Sequence, residues 1–142
     1  MDSSAPAVEM ARRNATLNGH KNIEFACADV FDYLKSCREK FDLIHIDPPP
    51  FAKAREGIAS ALKGYEKLCA SALSHLKDGG VLFISTCSHH ISERMLEETV
   101  IKTFKKSGRG AEVTYRGIQD SDHPVLKGFP ESLYLKGLAI RG

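Results

Sequence analysis

The feature that most constrains the fold is an alternation of strand-like and helical patterns along the chain. Each strand-like pattern is a short apolar run that ends at a polar residue. The runs are NIEFACAD, with a strand predicted over 23–28, then FDLIHID (41–47) and VLFIST (81–86). Helical periodicity predicts helices over 4–17, 30–37, about 57–76 (closed by KDGG) and from Ser92 onward. AEVTYRG and SLYLKGLAI are the last strand candidates, separated by a loop over 118–132. The pattern predicts an α/β fold, a mostly parallel sheet with helices on both faces.

The polar residues that close these runs indicate where a ligand would bind. Asp29 follows the first run, Asp47 the second and Cys87 the third. Asp2 is predicted to end a strand whose body is absent from the sequence. Because ligands bind beyond the carboxyl ends of strands in such sheets, we expect these four side chains to meet at one edge.

Composition indicates an ordinary globular protein. The 142 residues suffice for one domain over 1–142, and the net charge of +2 limits any nucleic-acid surface to a local patch. No apolar run approaches the roughly 20 residues of a membrane span. Cysteines 27, 37, 69 and 87 lack metal-binding spacing. They predict reduced thiols, a cytoplasmic location and no metal site.

Several stretches, taken together and in order, resemble one family. They are MDSSAPAVEMARRNATLNG, ADVFDYL, FDLIHIDPPPFAK, LKDGGVLFISTCSHHIS and DHPV…GFPESLYLKGL. The chain is similar over nearly its whole length to the class I S-adenosylmethionine-dependent cytosine-C5 methyltransferases that modify large-subunit ribosomal RNA. DPPPF alone is moderately specific, because amino-group methyltransferases carry similar strings. STCSHH downstream sharpens the assignment.

The resemblance implies a role for each strand-end residue, with S-adenosyl-L-methionine as cofactor and large-subunit ribosomal RNA as partner. Asp2, with Ser3 beside it, would accept hydrogen bonds from the cofactor ribose. Asp29 and the Val30 amide would hold the adenine. Asp47 and Pro48 would lie where the methyl donor and the base meet. The residues that would contact the RNA are Pro49, Pro50, Phe51 and Lys53. Cys87 would be the nucleophile.

The chemistry of this family explains why it needs a cysteine. Cytosine C5 is too weakly nucleophilic to accept a methyl group, and a thiolate that adds to C6 raises the electron density at C5. Asp47 would stabilise the adduct, and a base that the sequence does not identify would remove the C5 proton. The prolines restrict the loop to one shape, which favours a fixed attack geometry.

The chain also departs from the family pattern. Class I methyltransferases begin with a strand and a glycine-rich turn, and none of the eleven glycines lies in that context. The expected fold is therefore a partial Rossmann-like methyltransferase domain with an antiparallel C-terminal strand, lacking the first strand and glycine-rich loop. Such a truncated domain is expected to bind cofactor weakly, to have little or no activity, and to be able to form a homodimer through its exposed sheet edge.

Other interpretations stay open at this point. Asp29 and Asp47 are also typical N-cap or turn carboxylates, and a strand-end cysteine is often a small buried hydrophobic residue. His89 and His90 fit turn packing or substrate contact better than metal binding. Lys53, Arg55 and Lys63 could face RNA phosphates. Two rival functions are an amino-group methyltransferase that uses DPPPF, and a non-catalytic RNA-binding or assembly module.

Overall fold

The computed structural model describes residues 1–51 and 54–142, and the chain divides into two compact units, Met1–Arg38 and Glu39–Gly142. In the first unit, helix α1 (Ala5–Leu17) begins at Ser4, whose hydroxyl oxygen accepts from the Ala7 N–H. It ends at Asn18, and Gly19 follows with a φ of +71°. Helix α2 (Val30–Ser36) begins at Asp29. Both predicted helices of this unit are confirmed.

The predicted strand over 23–28 is wrong, because a single parallel bridge joins Asp2 to Cys27 instead of a ladder. The Asp2 N–H donates to the Ala26 carbonyl at 3.1 Å, and the Ala28 N–H donates to the Asp2 carbonyl at 3.1 Å. Pairing is confined to one residue on each side among the described residues. A strand requires a partner of several residues, which this bridge does not provide.

The second unit contains a mixed four-stranded sheet in the order β1-β2-β4-β3. Its strands are β1 (Phe41–Ile46), β2 (Leu76–Thr86), β3 (Glu112–Ile118) and β4 (Lys136–Arg141). Strands β1 and β2 are parallel, whereas β4 pairs antiparallel with both β2 and β3. The antiparallel C-terminal strand is therefore as predicted. The described sheet is mixed, with β1/β2 as its parallel pair, where the sequence predicts a mostly parallel sheet.

Helices α3 (Ile58–Leu73) and α4 (Glu93–Lys106) contact each other, with α3 also touching β2 and α4 touching β4. The Ser92 hydroxyl oxygen accepts from the Met95 N–H, so α4 begins where the sequence predicts. Fully buried side chains fill the space between these elements, including Tyr65, Leu82, Ile84, Leu96, Phe104, Leu138 and Ile140. No helix in the described part of the chain is long and apolar enough to cross a membrane.

The end of α3 differs from its predicted position. The sequence predicts a helix to Leu76 that KDGG closes, but α3 ends at Leu73 and KDGG lies inside β2. The β1/β2 register jumps from Phe41↔Leu76 to Leu43↔Val81, so residues 77–80 form an irregular segment of the strand. Gly79 has a φ of +71°, and a Cβ at Gly80 would lie 2.9 Å from the Lys77 carbonyl oxygen. Glycines, which favour a helix end in the sequence, here permit a bulge.

Two strands differ from their predicted character or extent. The mostly continuous apolar character of FDLIHID predicts a buried strand, but β1 lies at one end of the described sheet, and its Leu43 is 59% exposed. Strand β4 begins later than predicted, since the N–H groups of Tyr134 and Leu135 both donate to the Gln119 side-chain oxygen at 3.1 Å. These two amides are therefore bonded to a side chain and not to a neighbouring strand.

Candidate active site

The parallel register of β1 and β2 places Asp47 beside Ser85. The last residues paired are Ile46 and Ile84, so Asp47 and Ser85 follow at the same level of the sheet. The Ser85 hydroxyl donates to Asp47 Oδ1 at 2.6 Å, and Ser85 is only 4% exposed. This hydrogen bond joins the ends of the two strands. It fixes the direction of a carboxylate that is otherwise exposed.

Thr86 connects the same strand end to helix α3. The Tyr65 hydroxyl donates to Thr86 Oγ1 at 2.7 Å, and the Ser88 N–H donates to the same oxygen at 3.2 Å. Tyr65 and Thr86 are both fully buried. Burial raises the pKa of Tyr65, the Thr86 hydrogen bond partly opposes this, and the negative charges of Cys87 and Asp47 add to the rise. The phenol therefore stays a neutral donor.

Lys136 connects the strand end to β4. It lies opposite Thr86 in the antiparallel register, and its ammonium donates to the Ser88 carbonyl at 2.9 Å. Burial lowers the pKa of Lys136, and the negative charge of Cys87 partly restores it. Cys87 itself is half-buried and its thiol is free. The candidate nucleophile thus lies between a residue bonded to Tyr65 and one bonded to Lys136.

The proline loop after Asp47 begins in the protein interior and then reaches solvent. Pro48 is buried, while Pro49, Pro50 and Phe51 are exposed to solvent. The Phe51 ring contacts the Tyr65 ring edge-on, with the centroids 4.9 Å apart. A Cβ at Gly64 would lie 3.2 Å from the Phe51 ring, so the glycine lets this ring lie close to α3. Lys53 lies outside the described residues, and Arg55 and Lys63 are exposed.

His89, two residues after Cys87, lies near the segment that precedes β4. The Tyr134 hydroxyl and His123 Nδ1 are 2.8 Å apart, and the rings of Tyr134 and His89 have centroids 6.1 Å apart. Among the described residues, no three histidine, cysteine, aspartate or glutamate side chains are grouped as a metal site would require. The arrangement supports loop packing for His89, and its substrate contact stays a prediction.

Four of the six residues predicted to bind cofactor lie in the first unit, and the other two, Asp47 and Pro48, lie in the second. Asp2 Oδ1 accepts from the Ser4 N–H at 2.7 Å, and the Ser3 carbonyl accepts from the Cys27 thiol at 3.8 Å. Asp29 Oδ1 caps α2 by accepting from the amides of residues 31 and 32 at 2.8 and 3.2 Å. Val30 is the first residue of that helix, where amide groups lack intrahelical acceptors. The capping role of Asp29 is therefore present, whatever else it binds.

Each unit brings together some of the predicted site residues. In the first unit, Asp2 pairs with Cys27, which precedes Asp29 by two residues. In the second unit, Asp47 is bonded to Ser85, which precedes Cys87 by two residues. That all four meet at one edge stays a prediction.

Ser85, Tyr65 and Lys136 are absent from the predicted site. A hydroxyl pair at the end of VLFIST is a signal for Ser85. Tyr65 fits the apolar face of its helix, and the sequence of β4 does not distinguish Lys136 from an ordinary strand lysine.

The four-stranded sheet with its strand-end carboxylate and cysteine defines a partial class I methyltransferase fold. The family model described as "Methyltransferase small domain" matches residues 1–111, and the chain belongs to that family. The predicted methyltransferase class is confirmed.

Relatives of known name agree with this assignment. The ribosomal RNA large subunit methyltransferase I of Aeromonas salmonicida is 38% identical over 99% of this chain and 37% of its own length. A SAM-dependent methyltransferase from Streptococcus mutans has a TM-score of 0.79 at 25% identity, over 98% of this chain and 36% of that one. The SMU.776 methyltransferase, solved in complex with SAH, has a TM-score of 0.76 at 26% identity, and the match covers 98% of this chain and 37% of that one. The chain thus spans little more than a third of these relatives.

Proposed function

We propose that the protein methylates C5 of a cytosine in large-subunit ribosomal RNA, with S-adenosyl-L-methionine as methyl donor and Cys87 as the nucleophile. The observation that carries the proposal is the position of Cys87 at the end of β2. Its neighbours Ser85 and Thr86 are bonded to Asp47 and Tyr65. The similarity to ribosomal RNA large subunit methyltransferase I supports the RNA substrate.

Cys87 would attack C6 of the cytosine as a thiolate. The new S–C6 bond saturates the C5=C6 double bond and leaves the electron pair at C5, conjugated with the ring carbonyl and N3. Asp47, held by Ser85, would stabilise the adduct as a protonated carboxyl that donates a hydrogen bond to the base, where negative charge develops. After methyl transfer, loss of the C5 proton restores the double bond and releases the thiolate.

The cofactor-binding role of the first unit fits the chemistry of its carboxylates. Asp2 and Asp29 are exposed, and each uses Oδ1 for backbone amides. In the described part of the chain no donor is bonded to the Oδ2 atom of either residue. These oxygens suit ribose hydroxyls and an adenine amino group, which are donors. S-adenosyl-L-methionine, when bound, supplies an electrophilic methyl group.

A covalent trap tests this proposal. RNA that contains 5-fluorocytidine cannot lose a proton from C5, so the whole protein incubated with this RNA and cofactor should form an adduct that survives denaturation. Cys87→Ala should abolish the adduct, whereas Cys37→Ala, at a half-buried cysteine of the first unit, should retain it. Adduct formation in the Cys87→Ala protein would overturn the nucleophile assignment.

An amino-group methyltransferase is the alternative that Asp47 favours. A fixed carboxylate oxygen followed by rigid prolines could accept a hydrogen bond from an exocyclic amino group, and this chemistry needs no cysteine. It predicts full methyl transfer by Cys87→Ala. A non-catalytic RNA-binding module predicts instead RNA binding that is independent of cofactor, without methyl transfer.

A further inference from the structure

The cation of Lys136 lies against the loop that carries Cys87. We propose that Lys136 is a positioning residue that holds the Cys87 thiolate as its counterion while fixing the Ser88 carbonyl. The proposal deepens the proposed function, since it assigns the group that prepares the nucleophile. It rests on contacts within the second unit of the chain.

The backbone register places Lys136 where such a contact is possible. Lys136 pairs with Thr86 across β2 and β4, and Cys87 is the next residue of β2's chain. The Lys136 ammonium reaches past this residue to the Ser88 carbonyl at 2.9 Å. Lys136 is therefore opposite the residue before Cys87 and bonded to the residue after it, which brings the positive charge to the backbone on both sides of Cys87.

The surroundings of Lys136 strengthen an interaction between opposite charges there. Its side chain is half-buried, and burial lowers its pKa while the charge of Cys87 raises it. An ammonium that is partly removed from water gains more from a nearby thiolate than an exposed lysine would. Because coupling between two charges is mutual, an ammonium held in this position would also stabilise a thiolate at Cys87.

The other titratable groups around Cys87 do not supply a fixed positive charge. From α3, Tyr65 presents a neutral hydroxyl, since burial raises its pKa. From the loop after β1, Asp47 is an acid, so it supplies no positive charge, and it is bonded to Ser85. On the same loop as Cys87, His89 contacts the ring of Tyr134. Among these groups in the described part of the chain, Lys136 is the one that brings a cation into a hydrogen bond with this loop.

The rate of Cys87 alkylation as a function of pH tests the proposal on the chain itself. Lys136→Gln keeps a donor for the Ser88 carbonyl and removes the charge, whereas Lys136→Arg keeps the charge. In Lys136→Gln we expect the midpoint of the plot of Cys87 alkylation rate against pH to rise by about one pH unit. Below that midpoint, Cys87 should then react with iodoacetamide roughly tenfold more slowly than in the parent protein. Lys136→Arg should stay near the parent midpoint. Lys127→Gln, which removes an exposed lysine, is the matched control.

Equal midpoints in the parent and Lys136→Gln proteins, or equal shifts in the Gln and Arg variants, would overturn the proposal and leave Lys136 a structural hydrogen-bond donor. Cys87→Ser supplies a second measurement that needs no change at Lys136. Removing the thiolate should lower the pH at which Lys136 titrates, followed by NMR of methyl-labelled lysines; an unchanged titration contradicts the coupling.

The two proposals fail separately. If the alkylation profile shifts but no adduct forms with 5-fluorocytidine RNA, the ion pair stands and the cytosine-C5 function does not. If the adduct forms and the profile does not shift, the function stands without a role for Lys136 charge.

Discussion

Replacing Thr86 by valine should destabilise the second unit far more than the small change in shape suggests. Thr86 Oγ1 accepts from the Tyr65 hydroxyl at 2.7 Å and from the Ser88 N–H at 3.2 Å. Valine has nearly the same volume but no acceptor. Since Tyr65 and Thr86 are both fully buried, water cannot replace the lost partner without a rearrangement.

The size of the effect follows from the number of donors left unpaired. An unsatisfied buried donor costs about 1–3 kcal/mol, so Thr86→Val should cost about 2–4 kcal/mol in the free energy of unfolding. Tyr65→Phe removes one donor and leaves Thr86 with its Ser88 partner, so it should cost about 1 kcal/mol. In the double variant no phenol hydroxyl is left without a partner. Its loss in the free energy of unfolding should therefore be about 1–2 kcal/mol smaller than the sum of the two single losses.

Urea unfolding of the four proteins measures this cycle. A loss of about 3 kcal/mol lowers the urea midpoint by about 1.5 M when the slope is about 2 kcal/mol/M. Tyr115→Phe is the control, because Tyr115 is 56% exposed and its change should stay within about 0.5 kcal/mol. Losses that add without a coupling term would show that the Tyr65–Thr86 bond does not hold this strand end.

Further predictions concern other residues of the same unit. Because burial raises the pKa of Tyr65 in the folded state, the unfolded chain loses this proton first. Stability should therefore fall as pH rises above about 10, and alkaline urea midpoints should fall less in Tyr65→Phe. Burial raises the pKa of Cys69 to about 12, so mass spectrometry should find it unmodified by iodoacetamide at neutral pH until urea unfolds the chain, while exposed Cys27 reacts. Gly79→Ala should cost about 1–2 kcal/mol in thermal or urea unfolding because φ is +71°, and Gly79→Asn should cost less.

Local sequence patterns were sufficient to predict most elements of this fold. Helices α1, α2 and α4 follow directly from apolar periodicity and from caps at Ser4, Asp29 and Ser92. The strand over 23–28 fails because strand formation depends on a partner, and here the partner is the single residue Asp2. The KDGG segment fails for a related reason: two glycines end helices and permit bulges equally well, and only the register with β1 decides between them.

The site was predictable where residues lie next to each other and not where they meet through folding. Asp47 and Cys87 each follow an apolar run, which is a local signal. Their partners are distant in sequence: Ser85 lies 38 residues from Asp47, and Thr86 lies 21 residues from Tyr65. A hydroxyl or a lysine on a strand has many ordinary uses. Its partner becomes known only once the strand order and register are known.

The position of β2 explains why its end suits a nucleophile. β2 has a neighbour on each side, β1 and β4, and touches helix α3. Ser85, Thr86 and Ser88 form hydrogen bonds in turn to Asp47, Tyr65 and Lys136, which belong to three different elements. An edge strand could not be held from both sides in this way. Cys87 therefore lies in a segment whose backbone is already held on both sides, and the proposed attack by its thiolate would require such fixed geometry.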